Sequence, residues 1–172
     1  RLKKIVIKNC TFTECSSICK ADNFDISMCR FEKCYDLLIE GELNDKQSNI
    51  SNCEFIDCCY TTDTSKRGVH GLIVLSNSTT EISPRKVKTL HIEECVFRNV
   101  SLNSGYLGVL VGWLKTKKPV FYIESCEFES CSFRNVDKKL ISPAYRKTFV
   151  SAELIDVASF YNCRGLDDIK KD

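Results

Sequence analysis

The sequence is poor in residues that break regular structure and in side chains that commonly act as bases at neutral pH. It contains 3 Pro, 7 Gly and 2 His among 172 residues. This low Pro and Gly content excludes a collagen-like repeat or a Pro-rich linker. The histidines, His70 and His91, are interpreted as surface residues rather than as catalytic bases or metal ligands.

Long apolar runs and an excess of charge are also missing. No segment approaches the roughly 20 apolar residues that cross a bilayer, so no transmembrane segment is predicted. The 25 basic and 23 acidic residues leave a formal net charge of +2. Because these charges nearly balance, bulk electrostatics does not predict a nucleic-acid partner.

Cysteine, in contrast, is abundant, with 12 residues in the chain. Such a content usually indicates a disulfide framework or a metal site. Here four cysteine pairs each enclose a Phe at the same spacing, as in Cys10, Phe12 and Cys15. Residues two apart on a strand share a face, so the first Cys and the Phe are predicted to be buried together. We therefore interpret the cysteines as small hydrophobic residues, and expect no metal and no cofactor.

The pairs belong to a longer template, Ile-x-x-Cys-x-Phe-x-x-Cys, which can be aligned with six segments of the chain. The last segment has Ala in place of the first Cys, and the fourth has Val in place of the second. The four columns of the alignment are Ile7, Ile26, Ile50, Ile92, Ile123 and Ile155; Cys10, Cys29, Cys53, Cys95, Cys126 and Ala158; Phe12, Phe31, Phe55, Phe97, Phe128 and Phe160; and Cys15, Cys34, Cys58, Val100, Cys131 and Cys163.

A fixed motif at variable intervals is typical of a solenoid whose loops accept insertions. Within the motif, the three-residue step from Ile to Cys predicts a bend between two short strands, in which Asn9 and Asn52 suit a left-handed backbone. Apolar runs at 35–43, 71–77 and 106–114 predict a further strand. The sequence thus predicts an all-β chain, a right-handed parallel β-helix of about six coils with loop insertions, in which equivalent residues stack and the thiols stay unpaired. Residues 1–172 are expected to form one segment of a longer chain with more coils or an anchor.

The insertions contain clusters of basic residues that are candidates for ligand binding. Loops that leave one side of successive coils would align these residues into a cationic strip suited to an acidic glycan or another polyanion. The alternative is that they are solvated loop lysines that keep the edges soluble. The candidates are Arg85, Lys86, Lys88, Lys115, Lys117 and Lys118.

Four asparagines match the acceptor motif for N-glycosylation, which indicates a cell-surface or extracellular location. They are Asn9, Asn49, Asn77 and Asn99.

The sequence also contains carboxylates that are candidates for catalysis. Glycoside hydrolysis needs two carboxylates that flank the bond. Asp25, Glu54 and Asp57 are available, but they do not recur in one column, so no enzyme is predicted. Cys59 follows directly after Cys58 and is predicted to lie off the inward face, where its thiol could react or pair with another molecule.

The Cys-x-Phe-x-x-Cys element, the Phe-Arg-Asn triplets at 97–99 and 133–135, and Gly-aliphatic segments such as 71–75 resemble the repeats of the polymorphic outer-membrane protein family. The resemblance runs along most of the chain. It implies a parallel β-helical passenger of a surface adhesin.

The sequence therefore predicts a non-catalytic β-helical segment of a surface or secreted protein, mediating adhesion or binding a protein or glycan through its loops. An intracellular structural or interaction scaffold is the alternative, since unpaired thiols are typical of the cytoplasm. A carbohydrate-active β-helix enzyme is a third.

Overall fold

The chain is all-β. The computed structural model describes residues 2–35, 38–42, 46–58, 73–76, 90–104, 109–110, 121–135, 158–168 and 170–171. These residues contain short β-strands and one turn of 3-10 helix, Leu166–Asp168. Every described pair of neighbouring strands is parallel, which confirms the predicted class of all-β chain with parallel strands.

The strands form three sheets. The nine-stranded sheet contains Leu2–Lys8 (β1), Cys19–Ser27 (β3), Ile39–Glu42 (β5), Ser48–Ser51 (β6), Ile73–Ser76 (β8), Leu90–Glu93 (β9), Val109–Leu110 (β12), Phe121–Glu124 (β13) and Ala158–Tyr161 (β16). The five-stranded sheet contains Thr11–Thr13 (β2), Arg30–Glu32 (β4), Glu54–Ile56 (β7), Val96–Arg98 (β10) and Glu127–Glu129 (β14). The three-stranded sheet contains Ser101–Ser104 (β11), Ser132–Asn135 (β15) and Lys170–Lys171 (β17).

The register of the sheets places equivalent motif residues beside one another. In the nine-stranded sheet Ile7 pairs with Ile26, and Ile26 pairs with Ile50. In the five-stranded sheet Phe12 pairs with Phe31, and the same alignment continues along the column through Phe128. The first five Phe rings are stacked, with centroids 4.8 to 5.3 Å apart. The predicted stacking of like residues is thus confirmed for these copies.

Two bends with left-handed backbone separate the strands of each motif. The residue before the first Cys has φ between 51° and 55° in every described copy, including Met28 and Glu94 as well as Asn9 and Asn52. Its N–H continues the parallel pairing, as when Met28 donates to the carbonyl oxygen of Ser51 at 3.1 Å. The first bend was predicted. The second, at Glu14, Lys33, Asp57, Asn99 and Ser130, was not.

The motif side chains form the core. Ile26, Phe31, Cys34 and Phe55 are almost completely buried, and equivalent residues of the neighbouring copies join them in one apolar cluster. The cluster becomes half-exposed at the first copy, where Phe12 packs against it from the end. Cysteine therefore behaves as a small core residue, as the spacing predicted.

The predicted position of the last copy is wrong. Strand β16 pairs with β13 so that Phe160 lies beside Ile123, and therefore belongs to the Ile column. The Cys163 thiol contacts the carbonyl oxygen of Ile123, the position that a first-column thiol takes in other copies. The Phe160 ring accordingly meets Phe128 edge-on, at 6.2 Å and 70°, instead of stacking on it. Phe fills this slot because the position requires only a large apolar side chain.

The three predicted intermediate strands are also present. They correspond to β5, β8 and β12, which pair in that order. The three-stranded sheet was not predicted. Strands β11 and β15 begin with Ser and β17 consists of two lysines, so all three lack the apolar run that indicates a buried strand.

Candidate functional site

The six basic residues predicted to bind a ligand cannot be placed. Arg85, Lys86, Lys88, Lys115, Lys117 and Lys118 all lie outside the described residues. The same holds for His70, for Cys59 and for the predicted glycosylation site Asn77. Among the described residues, the candidate functional groups lie on the outward faces of the strands and in the stacked columns of the core.

One candidate surface is a row of side chains on the outer face of the nine-stranded sheet, here called the outer ladder. It contains Val6, Asp25, Asn49, His91 and Tyr122, which occupy equivalent positions of successive strands. Sequence reasoning missed this row, although each member directly precedes a residue of the Ile column and must therefore face the opposite side.

A network of polar contacts holds the first half of the outer ladder. Lys4 Nζ lies 2.5 Å from Asp25 Oδ2, and Asn49 Nδ2 donates a hydrogen bond to Asp25 Oδ1 at 2.7 Å. Burial opposes ionisation of Asp25, but the hydrogen bonds from Lys4 and Asn49 outweigh it and lower the pKa of this carboxyl. Asp25 is therefore held as a carboxylate, which suits a structural role better than that of an acid catalyst.

Aromatic rings occupy the second half. The rings of His91 and Tyr122 lie 5.1 Å apart at a tilt of 32°. Tyr161, on the next strand, is 61% exposed, and the side chains of Glu93 and Glu94 beside this region are also exposed. This end of the sheet thus presents aromatic and acidic groups to solvent.

The outer face of the five-stranded sheet contains ion pairs. Arg30 reaches Glu54 on the next strand at 2.5 Å and Glu32 on its own strand at 3.4 Å. Arg98 reaches Glu129 at 2.6 Å. Because these groups are substantially exposed and screened by solvent, the pairs add little to stability.

The predicted acid and base candidates are all engaged in such contacts. Glu54 pairs with Arg30, Asp57 accepts a hydrogen bond from Asn99 at 2.7 Å, and Asp25 is held by Lys4. These carboxylates belong to different ladders. The prediction that the chain is not an enzyme stays a prediction.

The three described glycosylation candidates differ in their surroundings. Asn9 is exposed at the first bend. Asn49 is half-buried, with its amide nitrogen bonded to Asp25 and its amide oxygen accepting from Gln47 at 2.7 Å. Asn99 is exposed, and its amide nitrogen donates to Asp57. A glycan on Asn49 or Asn99 would have to displace these contacts, so Asn9 is the best-placed acceptor among them.

The most regular chemical feature is the stack of thiols. The first thiol column contains Cys10, Cys29, Cys53, Cys95, Cys126 and Cys163, and the second thiol column contains Cys15, Cys34, Cys58, Val100 and Cys131. Each inner thiol lies close to two carbonyl oxygens, as Cys95 Sγ does to Ile50 O at 3.8 Å and Glu93 O at 3.3 Å. None of the eleven described cysteines forms a disulfide.

The thiols of the first column also affect one another. Interactions with Cys126 and Cys53, together with burial, raise the pKa of Cys95 well above its ordinary value. Burial also raises the pKa of Cys34 and Cys131 in the second column. High pKa values keep these groups as neutral thiols near pH 7, and this reduces their reactivity as nucleophiles.

Within the described ranges, no three His, Cys, Asp or Glu side chains are grouped so that they could hold a metal ion together. The same part of the chain contains no helix with the length and apolar character needed to cross a membrane.

Comparisons with protein-family models, with curated proteins and with solved structures found no match for this chain.

Proposed function

We propose that the chain is a right-handed parallel β-helix of about six coils, one segment of a longer non-catalytic surface or secreted protein that binds a protein or glycan through its loops. The order in which the chain visits its sheets supports the winding. Strands β9, β10 and β11 lie in the nine-, five- and three-stranded sheets in turn, and β13, β14 and β15 repeat that order. Each strand pairs with its equivalent 31 residues later, as Val96 does with Glu127. The right hand follows from the strong preference of parallel crossovers.

The observation that supports a binding function for the insertions is the burial of the motif residues. Ile50, Cys53, Phe55 and Cys58 are at most 1% exposed, so their side chains pack in the core and are not available to a partner. The polar segments between the strands can accept insertions without disturbing the stacked strands. In rigid repeat proteins, such segments commonly contain the residues that bind a partner. The basic residues at 85–88 and 115–118 are the proposed contact groups, with an acidic protein or glycan surface as the partner.

Binding to an array of acidic and neutral glycans, and to intact cells, tests this proposal. Replacing Arg85, Lys86, Lys88, Lys115, Lys117 and Lys118 with Gln should abolish binding and its dependence on salt. The matched control also removes six charges by replacing Lys3, Lys8, Lys20, Lys33, Lys46 and Arg164 with Gln, since these exposed residues lie on or beside the described strands. Equal loss in both variants would point to non-specific charge, and binding unaffected by the loop replacements would refute the proposed site.

The intracellular scaffold remains the second candidate because one observation favours it: the eleven described cysteines are free. Secreted proteins rich in cysteine normally form disulfides. Mass analysis of the protein from its native source separates the two. A glycan on Asn9, Asn49, Asn77 or Asn99 requires secretion, whereas twelve free thiols without any glycan would favour the cytoplasm.

A carbohydrate-active enzyme is the third candidate and is tested by incubation with polysaccharides. We expect no cleavage, because Asp25, Glu54 and Asp57 are engaged in ion pairs and hydrogen bonds on separate ladders. Cleavage that is lost on replacing one of these carboxylates would overturn the non-catalytic proposal.

A further inference from the structure

The first thiol column places cysteines at equivalent positions of successive copies, and none of its cysteines forms a disulfide in the described part of the chain. Its backbone positions are in register, since the residue after each Cys donates its N–H to the Cys of the preceding copy, as Val96 does to Cys53 at 2.9 Å. Cys95 stands between Cys53 and Cys126 in this register, because Glu127 donates its N–H to the carbonyl oxygen of Cys95 in the same way, at 2.9 Å. The four inner thiols are at most 2% exposed.

The spacing of this column does not favour a disulfide. Neighbouring strands lie about 4.7 to 4.9 Å apart, and stacked side chains point in parallel. A disulfide needs Cβ atoms about 3.5 to 4.5 Å apart and a twisted arrangement. Oxidation of neighbours would therefore require the backbone to move.

The same spacing fits two sulfur atoms that hold one ion between them. The bond from thiolate sulfur to Zn²⁺, also a d10 ion, is about 2.3 Å, and at that length a linear sulfur–metal–sulfur unit would span about 4.6 Å. An ion between two successive copies of the column would be bound by two sulfur atoms. No group of three metal-ligating side chains is found among the described residues. Two-coordinate geometry and sulfur-only ligation are preferred by soft monovalent ions such as Cu(I).

We propose that the first thiol column binds soft monovalent d10 cations, each held between the sulfurs of two successive copies. The pairs are Cys10 with Cys29, Cys53 with Cys95, and Cys126 with Cys163. In each pair one thiol releases its proton to solvent and bonds to the ion as a thiolate, while the other binds through a lone pair as a neutral thiol. The unit formed is neutral, so no net charge is buried and no electron is transferred.

The thiols of the first column differ in their exposure to solvent. Cys10 and Cys163 are half-exposed, whereas the thiols between them are buried. Ions should therefore load slowly and, once inside, exchange slowly with thiols in solution.

The second thiol column is interrupted by Val100, which leaves Cys15, Cys34 and Cys58 on successive copies and separates Cys131 from them. Val100 stands between Cys58 and Cys131 and is 1% exposed, so valine is compatible with a column slot. Replacing Val100 with Cys would make the second column continuous and add a sulfur pair. Replacing both Cys53 and Cys95 with Val would remove one pair from the first column.

The test uses Ag(I) as a redox-inert probe on the reduced, folded protein, followed by excess glutathione and native mass spectrometry. We expect ions to be retained against glutathione, one fewer in the Cys53→Val/Cys95→Val variant and one more in Val100→Cys. X-ray absorption should give two sulfur ligands for each ion, and the melting temperature should rise with loading.

Complete removal of Ag(I) by glutathione, or retention of the same number of ions in all three proteins, would refute the proposal. So would coordination by three or more ligands, or a melting temperature that falls as Ag(I) is added. Circular dichroism checks that each variant is folded, and if the double variant fails to fold, Cys95→Ala, which breaks the same pair of the first column with one substitution, is measured in its place.

Discussion

The ring of Phe55 lies almost parallel to the ring of Phe97, with centroids 4.9 Å apart and planes 3° apart, although the chain makes a long excursion between them. Phe55 also stacks on Phe31 at 4.8 Å on its other side. A ring in the middle of the column thus has an aromatic neighbour on both faces. The ring of Phe12, at the first copy, is half-exposed and stacks on Phe31 at 5.3 Å.

This difference predicts that the cost of removing a ring depends on its place in the column. Phe55→Ala should lower the free energy of unfolding by about 3 to 5 kcal/mol, because it leaves a cavity between two rings. Phe12→Ala should cost clearly less, since its side chain is already partly exposed. Urea denaturation of both variants measures the difference. Equal costs would show that the column does not stabilise the chain through burial.

The left-handed bends predict a stabilising substitution at Met28. Met28 has a φ of 53° and a side chain that is 55% exposed, so its backbone is strained while its side chain packs little. Asn tolerates this conformation and already occupies the equivalent bend at Asn9 and Asn52. Met28→Asn should therefore raise the free energy of unfolding by about 0.5 to 1 kcal/mol.

Thermal unfolding measures this gain, with Met28→Ala as the matched control. Alanine removes the same side chain but keeps the steric conflict of a Cβ atom at positive φ. A gain of equal size with Ala would mean that the exposed side chain, not the backbone, is the cause.

The sequence was sufficient to predict the two strands of the motif, the columns of the first five copies and the unpaired thiols, because side-chain periodicity carries that information directly. The fixed spacing from Cys10 to Phe12 shows that the two side chains share a face, and the recurrence of the spacing shows that copies pair in register. The confirmed parallel pairing of Phe12 with Phe31 follows from these facts.

The last copy was misplaced because the template fitted two registers. Phe160 and Cys163 match the Phe and second Cys slots, and they match the Ile and first Cys slots equally well. The Asn before Cys163 does not decide between them, because Asn52 precedes Cys53 of the first thiol column and Asn99 precedes Val100 of the second. The outer ladder was overlooked for a different reason: its residues share position but not chemistry.

Burial of Cys19 predicts a loss of stability in alkaline solution. Burial, and secondarily the charge of Glu40, raise the pKa of Cys19 from 9.0 to about 11. The folded state therefore holds this proton more tightly than the unfolded state does. Its contribution is complete below pH 9 and is lost as the pH rises towards 11, by about 2 to 3 kcal/mol.

Urea denaturation between pH 8 and 11 measures this loss. In Cys19→Ala the decline of the unfolding free energy over this interval should be shallower than in the wild type. Glu40→Gln should lie between the two, because it removes the smaller cause and leaves burial. The same slope in Cys19→Ala as in the wild type would contradict the assignment.

Gly165, at the end of the described core, is the position where we expect the addition of a side chain to be most destabilising. Its φ is +77°, and a Cβ atom placed there would collide with the backbone carbonyl oxygen of Phe128. Close approach is needed because Phe128 donates its N–H to the carbonyl oxygen of Arg164 at 3.0 Å. The 3-10 turn Leu166–Asp168 follows at once and packs Leu166 against the core.

Gly165→Ala should therefore break this contact and release the turn, at a cost of at least about 1 to 2 kcal/mol from the positive φ alone. Amide hydrogen exchange of residues 158–168 should accelerate, while exchange in β4 and β7 stays unchanged. Arg164→Ala is the control, because the Arg164 side chain is exposed and its backbone bond to Phe128 is retained. If both variants exchange at the same rate, the close approach at Gly165 does not hold the end of the core.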